Sequence, residues 1–212
     1  MKTLRLWAVT ILVLGVVGGG LYLWWRMDLR WRPHEITKHQ DEIGKILEGS
    51  GWVSPGLTGP KLYVIAYRDC ADCTRFEESQ FGDLQKAGVD TRVIAVARAD
   101  VNGAPKSTAA ERAAVAELWV NRNWGLFQRW MAAPVDNQVL SGVPHADGDV
   151  ARSAVVEVGR MTVERLTPLL KDNGINHAYP TLIWWTKDGK MKGCACERAE
   201  TYQYVRKDLT AR

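Results

Sequence analysis

Four cysteines stand in two close pairs, Cys70-Ala71-Asp72-Cys73 and Cys194-Ala195-Cys196. A CxxC pair by itself serves redox dithiols, zinc half-sites and haem attachment. No histidine follows Cys73, which removes haem attachment. The run Leu62–Tyr67 ahead of the motif is continuous and β-favouring, as in a strand covered on both faces. Behind it, Phe76, Leu84 and Ala87 recur at helical spacing up to Gly88. The motif thus opens a helix, whose N-terminal amides favour a thiolate on Cys70. A thiolate attacks disulfides, and a second thiol one helical turn along, Cys73, can resolve the mixed disulfide.

Alternate residues of a strand point to one face, so Cys194 and Cys196 project together. Three uses stand open for them. They form an auxiliary redox pair that exchanges with Cys70 and Cys73, or a structural disulfide or surface thiols, or half of a four-cysteine zinc site. Zinc would occupy the thiolate that the helix is placed to activate, so no metal and no cofactor are expected.

The elements that must hold these residues follow from patterning. Thr91–Ala97 reads as a second buried strand, giving strand, CxxC, helix, strand over 62–97, the order of a βαβ unit. Residues 34–49 place Ile36, Ile43, Ile46 and Leu47 on one helical face, and 51–60 form a Pro- and Gly-rich loop. Thr108–Met131 reads as helical throughout, 134–149 as a loop and Val150–Leu170 as a helix up to Pro168. Thr181–Thr186 is a strand, 187–190 a hairpin turn, Met191–Cys196 its partner and Glu197–Leu209 a closing helix. Trp119, Trp124, Phe127 and Trp130 have the spacing of packing residues. Trp184 and Trp185 must face opposite sides of a sheet. Glu77-Glu78 reads as a solvated helix face and His177 as a solvated loop residue. His34, His39 and His145 have no metal-site spacing.

The chain of 212 residues carries a formal charge of +4. Residues 1–32 hold Lys2, Arg5, Arg26, Arg30 and Arg32 against Asp28 alone, so the excess resides there and 33–212 is neutral. A nucleic-acid partner therefore has no support. Leu6–Trp25 is uncharged and long enough as a helix to span a bilayer core, with Trp7, Tyr22, Trp24 and Trp25 at its ends. A cleaved signal peptide, with Gly18 and Gly20 before the cut, is the competing reading, but its apolar region is usually shorter.

On CADC, Lys86-Ala87-Gly88-Val89, Glu117-Leu118-Trp119, Tyr179-Pro180-Thr181, Asp188-Gly189 and Lys192-Gly193, the stretch from about Lys61 to Leu209 resembles the thioredoxin-fold disulfide isomerases of the DsbC/DsbG type. The resemblance implies that Cys70 is the nucleophile, Cys73 the resolving thiol and Pro180 a cis-proline. Tyr179 and Thr181 would flank the substrate groove. It also implies an α/β thioredoxin-like fold with a helical insertion at about 106–170. The body would lie in the periplasm of a bacterium, single-pass anchored in the inner membrane through 6–25. Residues 33–60, taken as an amphipathic helix and linker before a domain over 61–212, are too short for the dimerisation domain these isomerases carry. Tyr179 stands where the family often has Thr. Asp69 and Asp72 are expected to disfavour the Cys70 thiolate, partly offset by Arg68 and Arg75.

The expected function is a membrane-anchored thiol:disulfide oxidoreductase acting on proteins with disulfides or thiols, served by a membrane redox partner. The alternative is a non-catalytic scaffold or assembly factor with the cysteines in structural or metal roles.

Overall fold

Leu62, Tyr63, Val64 and Ile65 are all buried, so the strand β2 (Lys61–Ala66) needs apolar side chains on both of its faces. The computed structural model describes residues 2–27, 29, 32–134 and 140–210. It forms two units, Met1–Arg32 and Pro33–Arg212. The first holds α1 (Lys2–Met27), whose side chains are described over 11–26 and are exposed there. Among the described residues no helix is long and apolar enough to cross a membrane. The expected span over 6–25 lies partly outside the residues whose side chains are described.

In the second unit the elements run β1 (His34–Glu35), α2 (Gln40–Gly49), β2, α3 (Ala71–Phe76), a π-helical turn (Glu77–Phe81), α4 (Gly82–Lys86) and β3 (Asp90–Ala95). There follow α5 (Ala109–Asn121), α6 (Trp124–Ala132), α7 (Val150–Lys171), β4 (Thr181–Trp185), β5 (Met191–Ala195) and α8 (Tyr202–Thr210). The five strands pair in the order β1-β5-β4-β2-β3. β2 and β3 are parallel, as the βαβ reading requires, and the other pairs are antiparallel.

The helices cover both sides of this sheet. On one side Phe76 of α3 meets Tyr202 of α8 edge to face at 4.9 Å, and the Trp184 indole donates to Asp208 at 3.2 Å. On the other, Arg92 ties Tyr63 to Glu48 of α2 and stacks over Trp52 at 4.0 Å. Trp184 is fully buried and Trp185 packs on Tyr63, so the two indoles do point to opposite faces.

Four local readings change. The N-terminal helix begins only at Gln40, because His34 and Glu35 pair with Gly193 and Lys192 as an edge strand too short to produce any periodicity. Residues 33–60 are built into the body: Ile36, Ile43 and Leu47 are fully buried, and Val53 bridges Val93 of β3. The helical region 108–131 breaks at Arg122, which is left-handed with φ 50°, and Asn123 caps α6 by accepting the Leu126 N–H at 2.9 Å. Helix α7 passes through Pro168 to Lys171. Pro168 and Glu164 are both exposed, so water can take the carbonyl that the proline leaves unpaired.

Candidate active site

Cys70 is the N-cap of α3, in extended conformation, and its Sγ accepts the backbone N–H of Cys73 at 3.1 Å. Cys70 and Cys73 are joined as a disulfide, and each is only 5% exposed. When that bond opens, the same amide and the helix N-terminus lie where they favour negative charge on Cys70. Asp72 pairs with Arg75 at 2.8 Å, and Arg75 also donates to the Glu197 carbonyl at 3.3 Å. Arg75 thus stands paired with Asp72.

Arg68 directs its guanidinium to backbone carbonyls. It is buried and donates to the carbonyls of Trp130 at 3.2 Å, Met131 at 3.0 Å and Ala133, closing the C-terminal end of α6. Its own backbone N–H donates to Oε1 of buried Glu111 at 3.4 Å. Burial pushes the Glu111 carboxyl above the usual range, while amides of Arg68 and Thr108 pull it back.

The Tyr179–Pro180 peptide is cis. Thr181 lies opposite Ile65 in the β2–β4 register, which brings Pro180 to the end of the sheet where the CxxC segment begins. Thr181 Oγ1 donates to the Ala178 carbonyl at 2.5 Å, so it accepts from His177 Nδ1 at 2.9 Å. His177 is accordingly held as the neutral Nδ1–H tautomer, and burial lowers its pKa. The expectation of a solvated His177 is corrected, since its ring packs on Tyr179 at 4.7 Å. Tyr179 in turn meets Tyr67 at 4.9 Å, three residues before Cys70, and the Arg98 guanidinium covers Tyr67 at 3.9 Å. Burial pushes the Tyr179 hydroxyl up to about 12.

The second cysteine pair adjoins this loop. Cys194 lies opposite Leu182, and the Cys196 N–H donates to the Pro180 carbonyl at 2.8 Å. The two thiols are joined to each other, with Cys194 6% exposed and Cys196 fully buried. With both pairs closed as disulfides, neither offers thiolates to a metal in this form.

Glu77 is a second residue that sequence reasoning misassigned. Glu78 is exposed, but Glu77 turns inward, and burial pushes its carboxyl up to about 7 against the pull of Arg68, with Glu78 adding to the rise. Its position four residues after Cys73, on the same side of a helix, was the available signal.

No protein-family model matches the chain, and no curated protein matches it. Among solved structures, BcfH of Salmonella enterica Typhimurium aligns with a TM-score of 0.54 at 13% identity, over 99% of this chain and 96% of that one. The MdbA protein, a thiol-disulfide oxidoreductase from Corynebacterium diphtheriae, aligns with a TM-score of 0.37 at 17% identity, over 80% of this chain and 98% of that one. Likeness at these identities concerns fold alone. The architecture is a thioredoxin-like α/β fold with a helical insertion between β3 and β4.

Proposed function

We propose that this protein is a thiol:disulfide oxidoreductase of the bacterial envelope, anchored by 6–25 with its body in the periplasm. The observation that carries the reading is the Cys73 N–H on Cys70 Sγ at the cap of α3. As a reductant, the Cys70 thiolate attacks a client disulfide, expelling one client thiolate, and Cys73 then displaces the other and closes the pair. As an oxidant, the Cys70–Cys73 disulfide is attacked at Cys70 by a client thiolate, Cys73 leaves as thiolate, and a second client thiol displaces Cys70. Tyr179, Pro180 and Thr181 frame the client-binding groove. The body is read as organised like the isomerases of the DsbC/DsbG type, with support from the motifs running from CADC to Lys192-Gly193. The second pair, Cys194 and Cys196, serves as an auxiliary redox couple; its support is the bond from Cys196 to the Pro180 carbonyl.

The test is trapping. Cys73→Ser should accumulate mixed disulfides with envelope proteins in membranes, and Cys70→Ser should trap none and lose insulin reduction. A Cys73→Ser protein that traps nothing would return the chain to the scaffold reading. Replacing Cys194 and Cys196 together by Ser should shift the reduction potential of the Cys70–Cys73 couple; an unchanged potential leaves the second pair structural.

A further inference from the structure

Arg98 stands at the end of the sheet where Cys70 lies. β2 and β3 run in parallel with Ala66 opposite Ala95, and the Val96 N–H donates to the Ala66 carbonyl at 2.9 Å, so the segments 67–70 and 97–98 emerge side by side. The backbone of Arg98 is held in place, its carbonyl accepting from Ser107 Oγ at 3.1 Å and from Arg160 Nη2 at 3.2 Å. Its guanidinium lies 3.9 Å from the centre of the Tyr67 ring, and Tyr67 meets Tyr179, the residue before Pro180. Two rings thus join a fixed cation to the loop that frames the groove. Stacking engages the face of a guanidinium and leaves its edge N–H donors for a planar acceptor.

The charge on Arg98 is unmatched. Arg92, Arg112, Arg152 and Arg160, equally half-buried, each pair with a carboxylate. Among the described residues Arg98 forms no such pair, and its Nε is buried without a hydrogen-bond partner. Glu111 feels the cation, but its Oε1 is engaged by the Arg68 N–H. The acids of the neighbouring turns, Asp69 and Asp100, are exposed, and water and salt screen an exposed charge more strongly than a half-buried one.

We infer that Arg98 is a specificity residue of the client groove, where its free edge takes the carboxylate of an Asp or Glu close to the client's reacting cysteine. The inference rests on the oxidoreductase reading and names the class of client it prefers. A carboxylate matches the guanidinium fork with two parallel N–H···O bonds. Tyr67 and Tyr179 offer aromatic surface to the stretch of peptide between that carboxylate and the cysteine. Complementary charge of this kind acts on the rate and register of docking, not on the chemistry at sulfur.

Three peptides that differ at one position provide the test, with Glu, Gln or Lys near a single cysteine carried as its mixed disulfide with thiopyridine. The Cys70 thiolate of the reduced protein attacks the peptide sulfur, the Cys70–peptide S–S bond forms, and the electron pair leaves on thiopyridone, whose release is followed. Each rate is divided by that for uncharged dithiodipyridine on the same protein, which removes any effect on Cys70 itself. The wild type should take the Glu peptide about 3-fold to 10-fold faster than the Gln peptide and the Lys peptide slowest. The differences should fade in about 1 M salt. Arg98→Gln should level the three peptides, Arg98→Glu should invert their order, and Arg98→Lys should keep the order with a smaller ratio. Equal rates for the three peptides on the wild type overturn the inference, as does a preference for Glu that survives in Arg98→Gln. If the wild type attacks dithiodipyridine no faster than glutathione does at the same pH, it is the oxidoreductase reading that fails.

Discussion

Glu77 and His177 titrate in opposite senses. A carboxyl raised by burial binds its proton more readily in the folded than in the unfolded chain. Its stabilisation is therefore complete below the ordinary carboxyl range and is lost as pH rises towards about 7. Glu77→Gln should gain stability relative to wild type at pH 8 compared with pH 5, measured as urea midpoints on the oxidised protein. His177 is lowered, so the unfolded chain takes the proton first. Stability falls as pH drops below the ordinary histidine value of about 6.5. His177→Gln should flatten that part of the profile; a slope equal to the wild type would show that the ring is not held neutral by its surroundings.

At the scale of elements, two pieces of chain prove to be structural supports for the site. Helix α2 buries Ile43 and Leu47 completely. Leu47→Ala should cost about 2–5 kcal/mol in urea unfolding, whereas a substitution in a solvated linker stays within about 0.5 kcal/mol. Helix α6 is fastened by Arg68, the residue two before Cys70, so the turn leading to the dithiol and the inserted helices are joined by one guanidinium. Arg68→Met leaves the α6 carbonyls without their donor and should cost about 2–4 kcal/mol. The same change should raise the Glu77 carboxyl further, visible as a shift of its part of the stability profile to higher pH. A third support is Trp119, whose indole donates to the Ala95 carbonyl at 2.7 Å and lies against Gly51 and Gly159. A Cβ at position 51 would enter that ring, so Gly51→Ala should be destabilising by about 1–3 kcal/mol.

Across the whole molecule, what was legible in the sequence was what depends on local pattern. The apolar runs at 62–67 and 181–186 became the central strands, and CADC fell at the start of a helix, because burial on two faces and capping leave marks at consecutive residues. What was hidden depends on partners far along the chain. A two-residue strand at His34–Glu35 exists only because Gly193 and Lys192 are beside it. The inward turn of Glu77 depends on the space left by α6, and the direction of Arg68 on carbonyls more than sixty residues away. The cis Tyr179–Pro180 bond was reached through family resemblance, since a Pro before a strand is by itself compatible with either isomer.

The two borders of the sheet carry a consequence for how another polypeptide can approach. Beyond β3, Val53 already exchanges two backbone bonds with Val93, and Arg92 closes on Asp90 at 2.8 Å. Beyond β5, β1 offers only two residues, with Glu35 fastened to Lys190. Among the described residues neither margin presents a free ladder long enough to recruit a foreign strand, which also protects against edge-to-edge aggregation. On the proposed function, a client chain approaches end-on, where β2 runs out and the cis loop lies, and is held there by side chains and a transient covalent bond rather than by lengthening the sheet.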